Sequence, residues 1–236
     1  MTPKKRTNMK PEERRAQLLD CAENLFFSRG FEATTVADVL ALAGVSKGGF
    51  YHHFKSKEEL MLGVFDRLAH QAGAGMQALV DDRSRSALDR FQGIYDLQNQ
   101  HIKTMGIEAL TYGYRILMED ANVGLSVLFD RTVARVTIPI LTDLIQQGID
   151  EGVFHAKNPE AAASYITYAD KCYHPAMLAA IDARGTPEAE KAAALLRATM
   201  EATFAATCRV LGIPDGAITF GWPEFVDVLM AAPRLD

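Results

Sequence analysis

Between residues 46 and 57 the chain reads SKGGFYHHFKSK. Lysine ammonium groups, a serine and a tyrosine hydroxyl and a histidine ring crowd a stretch that also holds two adjacent glycines. Lysines and hydroxyls in this density suit the gripping of phosphate oxygens. Bond-making chemistry is poorly provided for. His52 and His53 are neighbours on a predicted helix and so point about 100° apart, which separates them as an acid–base pair with Asp38 or Glu59. No G-x-S-x-G, P-loop, HExxH or strand-borne G-x-G-x-x-G occurs, so an enzyme is not expected.

The elements that would position these groups are short helices. Val36, Val39, Leu40 and Ala43 recur at i, i+3, i+4 and i+7, one apolar stripe. Thr34 and Thr35 stand at its N-cap, and Asp38 follows Thr35 at capping-box spacing. Gly44 closes it, as at the tight turn of a helix-turn-helix. Ser46 then caps a second helix over Lys47–Phe54, with Phe50 and Phe54 inward and Lys47, Gly48, Tyr51 and His52 outward. Gly48 and Gly49 each cost a helix about 1 kcal/mol relative to alanine. A helix that lies with its backbone against a groove wall has reason to lack side chains there. Ser56 and Glu59 form another capping box, opening a third helix with Met61, Val64, Phe65 and Leu68 as its stripe. Lys55 and Lys57 flank its start, where free N–H groups already favour phosphate. Upstream, Pro11–Arg29 is amphipathic through Leu18, Ala22, Leu25 and Phe26, and Gly30 stops it.

The stretch from about residue 12 to 62, including ENLFFSRGFEATTVADVLALAGVSKGGFYHHFKSKEEL, resembles the DNA-binding domain of the tetracycline-repressor (TetR) family of bacterial regulators. The resemblance implies an all-α chain: an N-terminal three-helix helix-turn-helix domain followed by a larger helical domain for ligand binding and dimerisation. It implies a homodimeric repressor that binds a double-stranded DNA operator and releases it when a small-molecule effector binds. It also implies positions. Thr34 and Thr35 enter the first motif helix, Ser46, Lys47, Gly48 and Gly49 start the recognition helix, Tyr51 and His52 lie on its exposed face, and Lys57 follows it. Thr35, Tyr51 and Lys57 would meet phosphates, and Lys47, Gly48, Gly49 and His52 would lie nearest base edges. Gly49 stands where many family members carry threonine or something longer, which shifts the burden of specificity toward DNA shape.

At 236 residues, 48% hydrophobic and 23% charged, the composition is that of an ordinary globular protein. The net charge of −5 conceals a division. Residues 1–57 hold ten Lys/Arg against six Asp/Glu, a net +4, and the remainder fifteen against twenty-four, a net −9. A basic front on an acidic body orients a molecule toward a polyanion. Lys4, Lys5 and Arg6 belong to a basic flexible tail over 1–10; the helix-turn-helix domain is expected over 11–57 and the effector and dimerisation domain over 58–236. No apolar run is long enough for a membrane span, and the start lacks a secretory h-region. Cys21, Cys172 and Cys208 show no metal-ligand or disulfide pattern. No metal, cofactor or membrane partner is expected, and a cytoplasmic location is the default.

Beyond residue 80 the periodicity is helical throughout. Helices are expected over about Ser86–Met105, Glu108–Glu119 and Ala121–Glu151, the last kinked at Pro139. Two alanine-rich helices follow, about Pro159–Ala183 and Pro187–Leu211. By resemblance this pair meets its twins as a four-helix bundle across a two-fold axis. A short helix near Pro223 closes the chain. An effector pocket among the middle helices has as candidates Phe91, Tyr95, Gln98, Ile102, Tyr112, Arg115, Phe129, Tyr165, Tyr168, Cys172 and His174, with Lys171, Arg115 or His174 able to take a polar or carboxylate head. An activator, or a regulator sensing oxidation through Cys172 and Cys208, is the alternative.

Overall fold

The computed structural model describes residues 10–118 and 123–233. Lys4, Lys5 and Arg6 lie outside them, as do the junction between the second and third middle helices and the last three residues. The described residues form helices and connecting turns, with no strand. The chain divides into two compact units, Met1–Arg67 and Leu68–Asp236.

Unit 1 comprises α1 (Pro11–Arg29), α2 (Val36–Ala43), α3 (Lys47–Tyr51) and the start of α4 (Lys57–Asp81). The core is aromatic and aliphatic: Leu18, Phe26, Val39, Phe50, Leu60 and Val64 are all sealed from solvent. Polar ties fix the helices to one another. Gln17 donates to the Ala43 carbonyl at 3.1 Å, joining α1 to the end of α2. Arg67 of α4 grips α1 through Asp20 at 2.5 Å and through Glu23. Gly63 lets α4 close on α1, because a Cβ there would stand 2.9 Å from Leu19 and 3.1 Å from Phe54.

Unit 2 holds the rest of α4, then α5 (Ala87–Met105), α6 (Ile107–Met118), α7 (Val123–Asp150) and α8 (Pro159–Ala169). A 3-10 turn (Asp170–Tyr173), α9 (His174–Ala183), α10 (Ala189–Leu211) and α11 (Phe225–Ala231) complete it. One apolar cluster joins α5, α7, α8 and the C-terminal part of α10 around Phe91, Leu144, Phe154 and Leu211. A second joins α9, the first half of α10 and the C-terminal segment around Met177, Ile181, Leu196, Trp222 and Phe225. Arg90, fully buried, donates to the Val80 carbonyl at 2.9 Å and to Gln147 and Glu151. Its Nε also donates to the Ser86 carbonyl at 3.4 Å, so its charge is met by a carboxylate and three neutral acceptors.

The expected helix over Pro159–Ala183 is corrected: it is two helices joined by the 3-10 turn. Pro175 is the reason. It has no N–H for the helical bond to the carbonyl four residues back, so the chain tightens at Asp170–Tyr173 and restarts with the proline in the first turn of α9, where no donor is needed. The recognition helix is also shorter than expected, ending at Tyr51 instead of Phe54. Pro139 lies inside α7, which continues through it.

Candidate nucleic-acid interface

The two motif helices are built from their caps. Thr35 takes extended backbone (φ −99°, ψ 159°), and its hydroxyl accepts from the Asp38 N–H at 3.2 Å while the Asp38 carboxylate accepts from the Thr35 N–H at 2.8 Å. That reciprocal box holds the Asp38 carboxyl below its usual range, the Thr35 hydroxyl contributing most. A carboxyl lowered in the folded state stabilises above its unfolded pKa, and that support is lost as pH falls through the lower folded value. Gly44 is left-handed (φ 62°), as the turn demands. Ser46 then accepts from the Gly49 N–H at 3.2 Å, starting α3.

On α3, Phe50 is fully buried and the Phe54 ring beyond it stacks at 6.0 Å, tilted. Lys47, Gly48, Tyr51 and His52 face solvent, with Tyr51 51% exposed. Gly49 is half-buried, and a Cβ there would press on Val45 Cγ1 at 3.0 Å. Gly48 differs. A Cβ on it meets nothing within 4 Å, and its φ is not positive. Neither packing nor backbone geometry inside the protein requires a glycine at 48, so its requirement, if it has one, comes from outside.

Two expected contacts are modified. Thr34 is corrected: it is fully buried, donating to the Gly30 carbonyl at 2.6 Å with the Leu25 carbonyl 3.3 Å away. Its side chain fastens the α1–α2 turn and does not reach the surface. Replacing Thr34 with valine takes the hydroxyl donor from the Gly30 carbonyl and should cost about 1–3 kcal/mol. Thermal melting checks this, and an unchanged melting temperature would show the hydroxyl to be idle. Lys57 is only partly free. Its ammonium donates to the Phe31 carbonyl at 2.9 Å and lies 4.1 Å from the Phe31 ring centroid. The Glu32 carboxylate also lies 4.0 Å from it, so an external phosphate would share this ammonium with the α1–α2 turn.

In unit 2 the residues expected to line one pocket are dispersed. Phe91 is packed in the first apolar cluster and Ile102 against the second. Gln98, Tyr165, Tyr168 and Cys172 lie at the surface, and Tyr112 and Phe129 are half-buried. Tyr95 stacks edge-on against Phe204 at 4.9 Å. His174 meets the Tyr114 ring at 4.9 Å and the Asp170 carboxylate at 3.5 Å. Arg115 pairs with Asp182 at 2.8 Å, and Lys171 with Asp130 at 2.5 Å. Two tyrosines outside the expected set, Tyr114 and Tyr173, lie in the same neighbourhood, and burial pushes their hydroxyls far above their ordinary pKa. In the sequence each stands beside a candidate, Tyr114 next to Arg115 and Tyr173 between Cys172 and His174. A cleft of about 370 Å³ instead opens between α10 and the C-terminal segment, walled by Phe204, Phe220, Trp222 and Phe225.

Residues 18–64, which contain α2, α3 and their caps, match the family model described as bacterial regulatory proteins, tetR family. The transcriptional repressor KstR2 of Mycolicibacterium smegmatis is 32% identical over 153 residues, covering 63% of this chain and 71% of the repressor. This chain belongs to the TetR family. A solved TetR-family regulator from Pectobacterium atrosepticum matches the fold with a TM-score of 0.62 at 24% identity, over 89% of this chain and all of that one. RolR, solved in complex with its ligand resorcinol, matches with a TM-score of 0.56 at 18% identity, over 96% and 97% of the two chains. At these identities the structures speak for the fold. As a TetR-family member the chain is a DNA-binding transcriptional regulator, not an enzyme. Among the described residues no helix is long and apolar enough to cross a membrane.

Proposed function

We propose that the chain is a homodimeric repressor that docks α3 of each copy into the major groove of a palindromic operator and leaves when a small molecule binds unit 2. The carrying observation is Gly48: an exposed helical glycine for which nothing inside the protein has a use. Lys47, Gly49 and His52 then approach base edges, while Thr35, Ser46, Tyr51 and Lys57 hold phosphates. α10 supports a dimer through its own outer face, where Ala194, Leu195, Ala198, Glu201 and Ala202 lie exposed and Leu195 is 54% open to solvent. Small side chains there allow helices to approach closely. RolR's complex with resorcinol is the precedent for a small effector in this fold, and α4, shared by both units, is the covalent route from effector to DNA. The reading places the protein on DNA in the cytoplasm. An oxidation sensor built on a Cys172–Cys208 pair is less favoured, because Cys208 is sealed in the core while Cys172 is exposed.

The test is a salt titration of binding to a palindrome selected from random DNA. The logarithm of the binding constant should fall linearly with that of salt concentration as counterions are released. Lys47→Ala should reduce that slope by about one unit if it meets a phosphate, and should blur base preference if it meets a base. Binding by Lys47→Ala that matches the parent in both respects would remove α3 from the interface.

A further inference from the structure

Arg184 ends α9 in a position that no expected role explains. It is 1% exposed, the most hidden cation of the described chain besides Arg90. Its Nε donates to the Ile181 carbonyl at 3.1 Å, but both terminal nitrogens, Nη1 and Nη2, are buried with no hydrogen-bond partner. The contrast with Arg90 is instructive, since that guanidinium is met by Glu151, Gln147 and two backbone carbonyls. A guanidinium is an obligate donor and does not escape by losing its proton. Four N–H groups hidden without a protein acceptor therefore call for one from outside the chain.

A second arginine stands beside it. Arg115 on α6 gives Nη2 to Asp182, while its Nε is also buried without a partner. Among the described residues the charges facing Arg184 are Arg115, Glu108 and Asp182. Burial first, then Arg115, depresses the Arg184 guanidinium, and Glu108 and Asp182 only partly oppose them. Asp182 is already engaged by Arg115, and no hydrogen bond joins Glu108 to Arg184 among the described residues. Arg115 is 32% and Asp182 67% exposed, so this ion pair forms the solvent side of the position. Met177, Ile181 and Leu110 of the second apolar cluster lie on the same helices.

We propose that Arg184 and Arg115 together hold the carboxylate of a small organic acid where α6 meets α9. A planar fork of N–H groups matches a planar carboxylate and gives paired, charge-assisted bonds, and the neighbouring apolar cluster suits a hydrocarbon tail. The inference rests on the reading that unit 2 takes an effector, and it names the effector's chemical class.

The test measures thermal melting of the full chain at constant ionic strength, with chloride as the reference anion and sodium hexanoate, hexanamide or inorganic phosphate added. Hexanoate should raise the melting temperature of the parent progressively, and hexanamide and phosphate should not. Arg184→Met, which keeps the length of the stem and deletes the charge, should melt at or above the parent in chloride and lose the hexanoate shift. Arg115→Met should weaken the shift. No shift with hexanoate up to about 50 mM, beyond the millimolar affinities expected of a minimal ligand, would overturn the proposal. So would an equal shift with hexanamide or phosphate, or one that survives in Arg184→Met. An Arg184→Met melting temperature lower by more than about 5 °C in chloride would make the residue structural instead. Operator binding is read separately. If the parent fails to bind DNA, the repressor reading fails while the melting comparison still decides the carboxylate site.

Discussion

Replacing Gly48 with glutamate should abolish operator binding while leaving the protein folded. Nothing lies within 4 Å of a Cβ at this position and its backbone is not left-handed, so the new side chain enters open solvent without strain. Removing a helical glycine should by itself help α3, by about 0.5–1 kcal/mol. Against DNA the same change sets a carboxylate and its bulk between α3 and the groove. Like charges forced together at an interface cost several kcal/mol, and each 1.4 kcal/mol is about tenfold in affinity, so a loss of at least about a hundredfold is expected. Gly48→Ala is the graded companion: slightly more stable, and weaker on DNA by an amount that reports how closely the backbone approaches. Fluorescence anisotropy gives the affinities and melting gives the stability. Full operator affinity in Gly48→Glu would show that α3 does not face the duplex.

Phe50→Ala should produce the opposite combination, with binding lost because the unit that binds no longer holds together. Phe50 is fully buried and meets the rings of Tyr51 and Phe54. Truncating a buried phenylalanine costs about 3–5 kcal/mol, a large share of the 5–15 kcal/mol typical of a whole domain. Few other contacts anchor α3, which is five residues long. Hydrogen exchange of the amides in 36–54 should accelerate strongly, and DNA affinity should fall with it. Slow exchange together with lost binding would instead assign Phe50 a direct part in recognition.

Unit 1 was legible because its signals are local. Thr35 and Asp38, Gly44, and Ser46 with Gly49 each specify a cap or a turn within four residues, and periodicity distinguishes Phe50 from Tyr51. Thr34 was not legible. It stands beside a true N-cap and has the same residue type, but its acceptors, Gly30 and Leu25, become neighbours only when the α1–α2 turn closes. Lys57 shows the same limit, since its tie to Phe31 spans 26 residues. In unit 2 the helices were readable and their contacts were not, because an aromatic at helical spacing looks alike in a core and in a pocket. Phe91 and Ile102 share a helix and serve different clusters. Arg184 sits in a sequence that reads as a separator, Arg184-Gly185-Thr186, and only the burial of its guanidinium sets it apart.

The fastening of unit 1 has a consequence for how such a protein could change its target. The polar ties described above, from Gln17 to Ala43, from Arg67 to Asp20 and Glu23, and from Lys57 to Phe31, are made by α1, its following turn, the end of α2 and α4. The outer face of α3 takes no part in them. If α3 reads the duplex as proposed, Lys47, Gly48 and His52 can be exchanged almost as type is exchanged in a printer's frame, giving a new address on the genome without recasting the scaffold that carries it, whereas Tyr51 also leans on the buried Phe50 ring.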